Sequence, residues 1–181
     1  MAHVYLLLGA NLGDREQQMQ AAREGIIASI GLIVKASELY ETTSWGAEEE
    51  QPDYLNQVLL VETVQAPLQV LKESNTIEAR LGRVRKKKWD ARIIDIDILF
   101  YDHQIVDLPQ LQIPHPYFQE RNFALVPMNE IAPEYIHPIL SKSVNELLHD
   151  SADPLSVRLF TPKGTQLSTN AMNEHPKTIK S

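Results

Sequence analysis

The chain has 181 residues, a length that favours one domain with its own hydrophobic core. Hydrophobic residues make up 43% and charged residues 23% of it, as in ordinary globular proteins, and its apolar runs are too short for a membrane span or a signal peptide. Cysteine is absent, which excludes disulfides, thiolate metal sites and cysteine nucleophiles. We therefore expect a cytoplasmic protein that does not bind membranes.

The charge of the chain is unevenly distributed. A formal net charge of −7 disfavours general nucleic-acid binding. Residues 83–92, RVRKKKWDAR, nevertheless contain six basic side chains and one acidic one, so the rest of the chain carries a formal charge of −12. This basic segment predicts that a small polyanion binds at one place, and a solvated lysine-rich turn is the alternative.

The first hundred residues predict the order strand, helix, strand, strand, helix, strand. Apolar runs predict strands at 4–8, 32–43, 54–63 and 93–100. Capping residues and apolar spacing predict helices at about 14–30 and 67–81. This order is that of the ferredoxin-like split βαβ sandwich, an α+β fold with helices on one face of an antiparallel sheet.

The remaining residues predict shorter elements. Asp102 and His103 are typical of a hairpin tip after the fourth strand, and the many later prolines disfavour long regular elements. Short helical segments are predicted at 116–123 and 144–149. From about Thr161 the sequence is polar, which predicts a mobile tail. We therefore predict one domain over 1–160, with an extra C-terminal hairpin and short helices, and a tail over 161–181.

The sharpest local signal is the strand IIDIDILF at 93–100. Side chains alternate along a strand, so Asp95 and Asp97 point to one face and the isoleucines to the other. Two carboxylates about 7 Å apart on one face repel each other, and a hard cation such as Mg²⁺ offsets that repulsion. An exposed edge with salt-bridged aspartates is the alternative. Because Arg92 lies three residues before Asp95, the acids and the basic segment are neighbours, as phosphoryl transfer requires.

Few other patterns indicate a ligand. The sequence has neither a Walker loop nor a Rossmann fingerprint, and GANLGD at 9–14 is more typical of a tight turn than of an anion cradle. The histidines lack the spacing of a zinc site. His115, between two prolines and six residues before Arg121, is the one histidine that we retain as a possible phosphate contact.

A second group of residues fits a flat heterocycle. Asn56 offers donors and an acceptor for an amide edge, and the rings of Trp45, Tyr54 and Phe123 offer stacking surfaces. Spacing alone favours core packing for Tyr54 and Phe123.

Four segments together resemble the 6-hydroxymethyl-7,8-dihydropterin pyrophosphokinase family of folate biosynthesis. They are GANLGD, QPDYLN, the RVR…W…R–x–x–DIDIL stretch and PHP…ER–x–F, in order between about residues 4 and 148. The resemblance implies a ferredoxin-like fold and transfer of diphosphate from ATP to the hydroxymethyl group of a dihydropterin, with release of AMP. It also implies two Mg²⁺ ions; a monomer is favoured.

The resemblance implies roles for individual residues. Asp95 and Asp97 match metal ligands, and Arg83 and Arg92 match arginines that act on the phosphates. The implied ATP contacts are Glu78, Arg85, Trp89, Ile98, His115 and Arg121. The implied pterin contacts are Thr43, Ser44, Trp45, Tyr54, Asn56 and Phe123.

The sequence departs from the family pattern at three places. Asp90 replaces a usual glycine, the loop between Arg85 and Trp89 is one residue shorter than in some relatives, and residues 43–45 replace a more proline-rich stretch. Two other functions fit part of the sequence. A metal-dependent phosphohydrolase would use the same acids with water as acceptor, and an RNA-binding module would use the basic segment.

Overall fold

A six-stranded antiparallel sheet organises the residues that the computed structural model describes, 1–43, 52–82 and 93–162. Its strands run in the order β5-β1-β4-β3-β8, and β2 also pairs with β4. A separate two-stranded sheet joins β6 and β7. The elements are β1 (Ala2–Ala10), α1 (Arg15–Ser29), β2 (Leu32–Ala36), β3 (Tyr40–Thr42), β4 (Tyr54–Thr63), α2 (Pro67–Arg80), β5 (Asp95–Tyr101), β6 (Val106–Leu108), β7 (Leu111–Ile113), α3 (Asn122–Ile131), α4 (Val144–His149) and β8 (Val157–Leu159).

The predicted ferredoxin-like α+β fold is confirmed. Strands β5, β1 and β4, with β2 and β3 each paired to β4, give the split βαβ order. Both predicted helices form where the sequence places them. Asp14 caps α1 by accepting a hydrogen bond from the Gln17 amide at 3.0 Å, and Pro67 begins α2.

Three strand predictions need correction. The first strand continues through Gly9, which is paired on both sides, to Ala10, which pairs with Leu55. The strand predicted at 32–43 is broken between β2 and β3, where the Ser37 hydroxyl accepts a hydrogen bond from the Val58 amide at 3.0 Å. The turn at Asp102 and His103 does not return the chain to β5, since β6 pairs with β7 instead.

Helices cover both faces of the sheet, and not one face as predicted. Alternate residues of β1 point to opposite sides: Val4, Leu6 and Leu8 pack against α1 and α2, whereas Tyr5 and Leu7 pack against α3 and α4. Because both faces of this central strand are apolar, each needs a covering layer. The C-terminal helices supply the second one.

Helix α3 was not expected at its full length. It runs for ten residues and contains Pro127, which is buried. A proline inside a helix removes one backbone hydrogen bond, and tertiary packing outweighs that loss here. Helix α3 is also fastened to the β2–β3 connection, because the Glu130 carboxylate accepts hydrogen bonds from the Tyr40 hydroxyl at 2.9 Å and the Glu38 amide at 3.0 Å.

A β-bulge in β5 changes which side chains face α3. Tyr5 pairs with Phe100 and Leu6 with Ile98, so Leu99 is the extra residue. Leu99 and Phe100 therefore both pack on the α3 side, next to the aspartates that precede them. None of the described helices is long and apolar enough to cross a membrane.

Candidate active site

Three neighbouring strands bring the acidic pair and the pterin candidate to one face of the sheet. Gly9 on β1 pairs with Asp95 on β5 and with Asn56 on β4. Directly opposed residues of antiparallel strands share a face, and two strand spacings separate Asp95 from Asn56 by about 10 Å. We call these three residues the Gly9 row. Sequence reasoning does not predict this row, because Gly9 lies in a segment that is typical of a turn.

Gly9 leaves the centre of this row without a side chain. A Cβ atom at this position would lie 3.4 Å from the Asn56 side-chain oxygen, already in van der Waals contact. Glycine therefore places only backbone between the carboxylate and the carboxamide. A flat ligand can lie over it with one end at β4 and the other at β5.

The acidic pair lies as the strand pattern predicts. Asp95 is half-buried and Asp97 is exposed, whereas Ile94, Ile96 and Ile98 are buried on the other face. The side chain of Ile98, an implied ATP contact, belongs to the core that covers α1 and α2. Contact between this residue and ATP would have to use its backbone, and it stays a prediction.

Glu78 supports the strand that carries the acids. It is buried on α2, and its carboxylate accepts a hydrogen bond from the Ile96 amide at 2.7 Å. Ile96 lies between Asp95 and Asp97. This bond fixes the backbone of the acidic pair, and the ATP contact that the resemblance implies for Glu78 stays a prediction.

The acidic pair fits magnesium that binds together with phosphate. Within the described residues no group of three or more histidine, cysteine or acidic side chains could hold a metal ion. Mg²⁺ typically takes one or two carboxylates and completes its shell with substrate phosphates and water. The carboxylates of Asp95 and Asp97 are the oxygen donors that such an arrangement uses.

Asn56 is held in one orientation by a residue that the sequence did not single out. Its carboxamide is buried and donates a hydrogen bond from Nδ2 to the Thr42 hydroxyl at 2.8 Å. Thr42 is also buried, whereas its neighbour Thr43, an implied pterin contact, is exposed. The bond places the Asn56 amide nitrogen toward β3. Strand register was the missing signal, since it is what brings Thr42 to β4.

The two aromatic candidates, Tyr54 and Phe123, are only partly buried. Tyr54 is two residues before Asn56 on β4 and therefore shares its face. Phe123 is the second residue of α3, which packs on that face of the sheet. Partial exposure of both rings disfavours the alternative in which they serve the core alone.

His115 is tied to β5 just after the acids. Its backbone amide donates to the Leu99 carbonyl at 2.9 Å, and its Nδ1 accepts from the Tyr117 amide at 3.3 Å. Burial, together with the nearby Arg121 charge, lowers the pKa of His115 to about 4. The imidazole is therefore neutral at pH 7 with its proton on Nε2, and it can donate a hydrogen bond to a phosphate oxygen.

Arg121, a predicted ATP contact, lies against two aromatic rings, one of which is Phe123, a predicted pterin contact. Its guanidinium lies 5.1 Å from the centre of the Tyr117 ring and 5.7 Å from that of Phe123. Stacking on aromatic faces holds a guanidinium while its edge stays available to an anion. Six predicted site residues lie outside the described residues: Ser44, Trp45, Arg83, Arg85, Trp89 and Arg92.

The known proteins that this chain resembles in sequence are hydroxymethyldihydropterin pyrophosphokinases. Residues 5–133 match the model of the 7,8-dihydro-6-hydroxymethylpterin-pyrophosphokinase (HPPK) family. A 2-amino-4-hydroxy-6-hydroxymethyldihydropteridine pyrophosphokinase from Aquifex aeolicus is 40% identical over 146 residues, 81% of this chain and 90% of that relative. The enzyme of the same name from Haemophilus influenzae is 37% identical over 160 residues, 88% of this chain and 99% of the relative.

Solved structures agree on the fold. The crystal structure of a Plasmodium falciparum HPPK-DHPS with pteroate superposes with a TM-score of 0.66 at 20% identity. The match covers 82% of this chain and 42% of that one, so this chain spans less than half of the Plasmodium protein.

Replacing Thr42 by valine tests how Asn56 is held. We expect Thr42→Val to raise the KM for a dihydropterin about fivefold, because a net hydrogen bond is worth about 1 kcal/mol, and to leave the KM for ATP unchanged. Thr76→Val is the matched control, since the Thr76 hydroxyl donates to the Lys72 carbonyl within α2. Steady-state kinetics with each substrate varied decide the matter. Equal increases for both substrates would contradict this assignment.

The depressed pKa of His115 predicts a pH dependence of stability. The unfolded chain takes up this proton near pH 6.5 and the folded chain only near pH 4, so protonation favours unfolding between these values. The wild type should therefore lose more free energy of unfolding than His115→Gln as the pH falls from 6.5 to 4, measured by urea denaturation. An NMR titration that placed the His115 imidazole near its ordinary pKa would contradict this account.

Proposed function

The chain belongs to the 7,8-dihydro-6-hydroxymethylpterin-pyrophosphokinase family, and from that premise we propose that the Gly9 row is where it joins its two substrates. It transfers diphosphate from ATP to the hydroxymethyl group of 6-hydroxymethyl-7,8-dihydropterin and releases AMP, a step of folate biosynthesis. The hydroxymethyl oxygen forms a bond to the β-phosphorus as the bond between that phosphorus and the AMP oxygen breaks, and the hydroxyl proton is lost.

The placement of Asp95 and Asn56 on either side of Gly9 is the observation that carries this proposal. Asn56 binds the amide edge of the pterin, and Tyr54 and Phe123 contact the ring. The hydroxymethyl end of the pterin then points along the row toward β5. Bringing the nucleophile and the phosphates together in one geometry supplies much of the catalysis in phosphoryl transfer.

The acids, with His115 and Arg121, form the phosphate side. Asp95 and Asp97 would hold Mg²⁺, two ions in the family pattern, and the metal would neutralise charge on the phosphates. The neutral His115 imidazole donates from Nε2, and the Arg121 guanidinium contributes a fixed positive charge. Both groups would compensate negative charge on the phosphates.

The basic segment supplies the remaining cations. Arg83 and Arg92 act on the transferred diphosphate, and Arg85, Trp89 and the backbone of Ile98 contact ATP. Thr43, Ser44 and Trp45 contribute to the pterin side. Support for these assignments comes from the matching motifs and from the connection of the basic segment to β5, which begins at Asp95.

The wider assignments follow the same family pattern. Residues 1–160 form one pyrophosphokinase domain and 161–181 a polar tail, and the enzyme acts as a monomer in the cytoplasm on small-molecule substrates. The family match over residues 5–133 and the packing of β8 against β3 support the domain assignment.

Product identification tests the reaction. With ATP, Mg²⁺ and hydroxymethyl-dihydropterin, the chain should form AMP and the diphosphorylated pterin in equal amounts, which chromatography and mass spectrometry can measure. Phosphate or diphosphate released without any need for the pterin would instead identify a phosphohydrolase.

Removing one carboxylate tests the metal assignment. Asp95→Asn and Asp97→Asn should each lower kcat/KM about 100-fold or more, because a metal ligand is lost. Asp107→Asn changes an exposed acid of β6 in the same way and should keep normal activity. Near-normal turnover of either site variant at low Mg²⁺ would contradict the metal assignment.

A further inference from the structure

Four charged residues form a closed network at the β3 end of the sheet, on the face opposite Asn56. Arg158 on β8 bridges two acids through Nη2, with Glu41 Oε2 and Asp53 Oδ2 both 2.8 Å away. Arg15, at the start of α1, contacts the other Glu41 oxygen at 2.7 Å and donates to the Asp53 carbonyl at 2.6 Å. We call these four residues the Arg158 network.

The network balances its own charge. Two guanidiniums face two carboxylates, and the Glu41 side chain is only 15% exposed. Burial acts to raise the pKa of Glu41, but hydrogen bonds from Arg158 and Arg15 more than offset it, so the pKa lies below its ordinary value. The carboxylates of Glu41 and Asp53 share the Arg158 guanidinium, so without Arg158 they would repel each other.

Glu41 and Asp53 are sequence neighbours of residues that lie beside Asn56. Glu41 precedes Thr42, and Asp53 precedes Tyr54, the residue that pairs with Thr42 across β3 and β4. Glu41 lies between Tyr40 and Thr42 on its strand, so it points to the opposite face from Asn56. The Arg158 network therefore contacts this part of the sheet on the face opposite Asn56, and it would not contact a ligand bound on the Asn56 face.

Arg158 reaches this place because the C-terminal strand is an edge of the sheet. Strand β8 pairs antiparallel with β3, with Arg158 opposite Glu41 and Val157 opposite Thr42. The residue lies outside the 5–133 segment that matches the family model. Its bond to Asp53 joins β8 to the first residue before β4 as well as to β3. One side chain thus fixes the chain on both sides of residues 44–51.

We propose that Arg158 is a positioning residue for binding of the dihydropterin. Arg158 holds β3 and the start of β4 in place, so that Thr42 can orient Asn56. The inference rests on the proposed function. It assigns to the C-terminal strand a role in binding one substrate and no role toward ATP, whose predicted contacts lie on α2, in the basic segment, on β5 and at 115–121. Arg158 acts through Glu41 and Asp53, and not through contact with the ligand.

Kinetics with each substrate varied test this role. Arg158→Ala should raise the KM for hydroxymethyl-dihydropterin about threefold to tenfold, with the KM for ATP and kcat changed less than twofold, since an exposed arginine contributes modestly. Lys142→Ala is the matched control: Lys142 forms an exposed ion pair of the same 2.8 Å length with Asp150, and its loss should leave both KM values unchanged.

Two further variants separate positioning from general stability. Glu41→Gln in the Arg158→Ala background removes the repulsion between the acids and should restore part of the affinity for the pterin. Arg158→Lys keeps the charge but bridges the acids less well, so its KM should be intermediate. It also replaces Arg158→Ala in the comparison if that variant does not fold. A wild-type KM for the pterin in Arg158→Ala, or in Arg158→Lys where it replaces that variant, would overturn the proposal. An equal rise in the KM for the pterin and the KM for ATP would also overturn it.

Direct binding distinguishes a failure of this proposal from a failure of the proposed function. The Kd for the pterin is measured by calorimetry with Mg²⁺ and a non-hydrolysable ATP analogue present. If the wild type binds the pterin but yields no diphosphorylated product, the proposed reaction is wrong and the Kd values still judge Arg158. If the wild type is active and Arg158→Ala has the same Kd as the wild type, the positioning role is wrong.

Discussion

The pairing of Gly9 with both Asp95 and Asn56 is the constraint on which the candidate active site depends. It places an acid and a carboxamide on one face of three adjacent strands, with only backbone between them. One residue supports each end of this row: Glu78 fixes the strand that carries the acids, and Thr42 orients the carboxamide. A shift of one residue in either strand pairing would send one of these groups to the opposite face.

The two layers of helices stabilise the sheet and leave the Gly9 row uncovered by core side chains. Helices α1 and α2 bury one face of the sheet, while α3, α4 and the aromatic side chains around Phe100 bury part of the other. The bulge at Leu99 turns both Leu99 and Phe100 toward α3, so β5 changes from polar to apolar on that face directly after Asp97. Polar chemistry is thereby confined to the end of the sheet where Gly9 lies, and the Arg158 network supports that end from the opposite face.

Local patterns predicted much of this and missed the rest for physical reasons. Alternation along 93–100 placed Asp95 and Asp97 on one face, and capping at Asp14 and Pro67 located both main helices. Thr42, the broken strand at Ser37 and the Arg158 network depend on which strands pair, which is a property of the whole fold. Helix α3 was underestimated, because the cost of Pro127 is local and the packing that offsets it is not.

Paramagnetic relaxation by Mn²⁺ in place of Mg²⁺ tests the Gly9 row most directly. With a non-hydrolysable ATP analogue and the pterin bound, the amide signals of Gly9 and Ile96 should broaden first. The Asn56 side-chain amide, two strand spacings or about 10 Å from Asp95, should broaden less. The amides of Leu68 and Lys72, on the first turns of α2, should stay sharp. Broadening centred away from β5, or equal broadening of all these signals, would contradict the placement of the phosphates at Asp95 and Asp97 and of the pterin at Asn56.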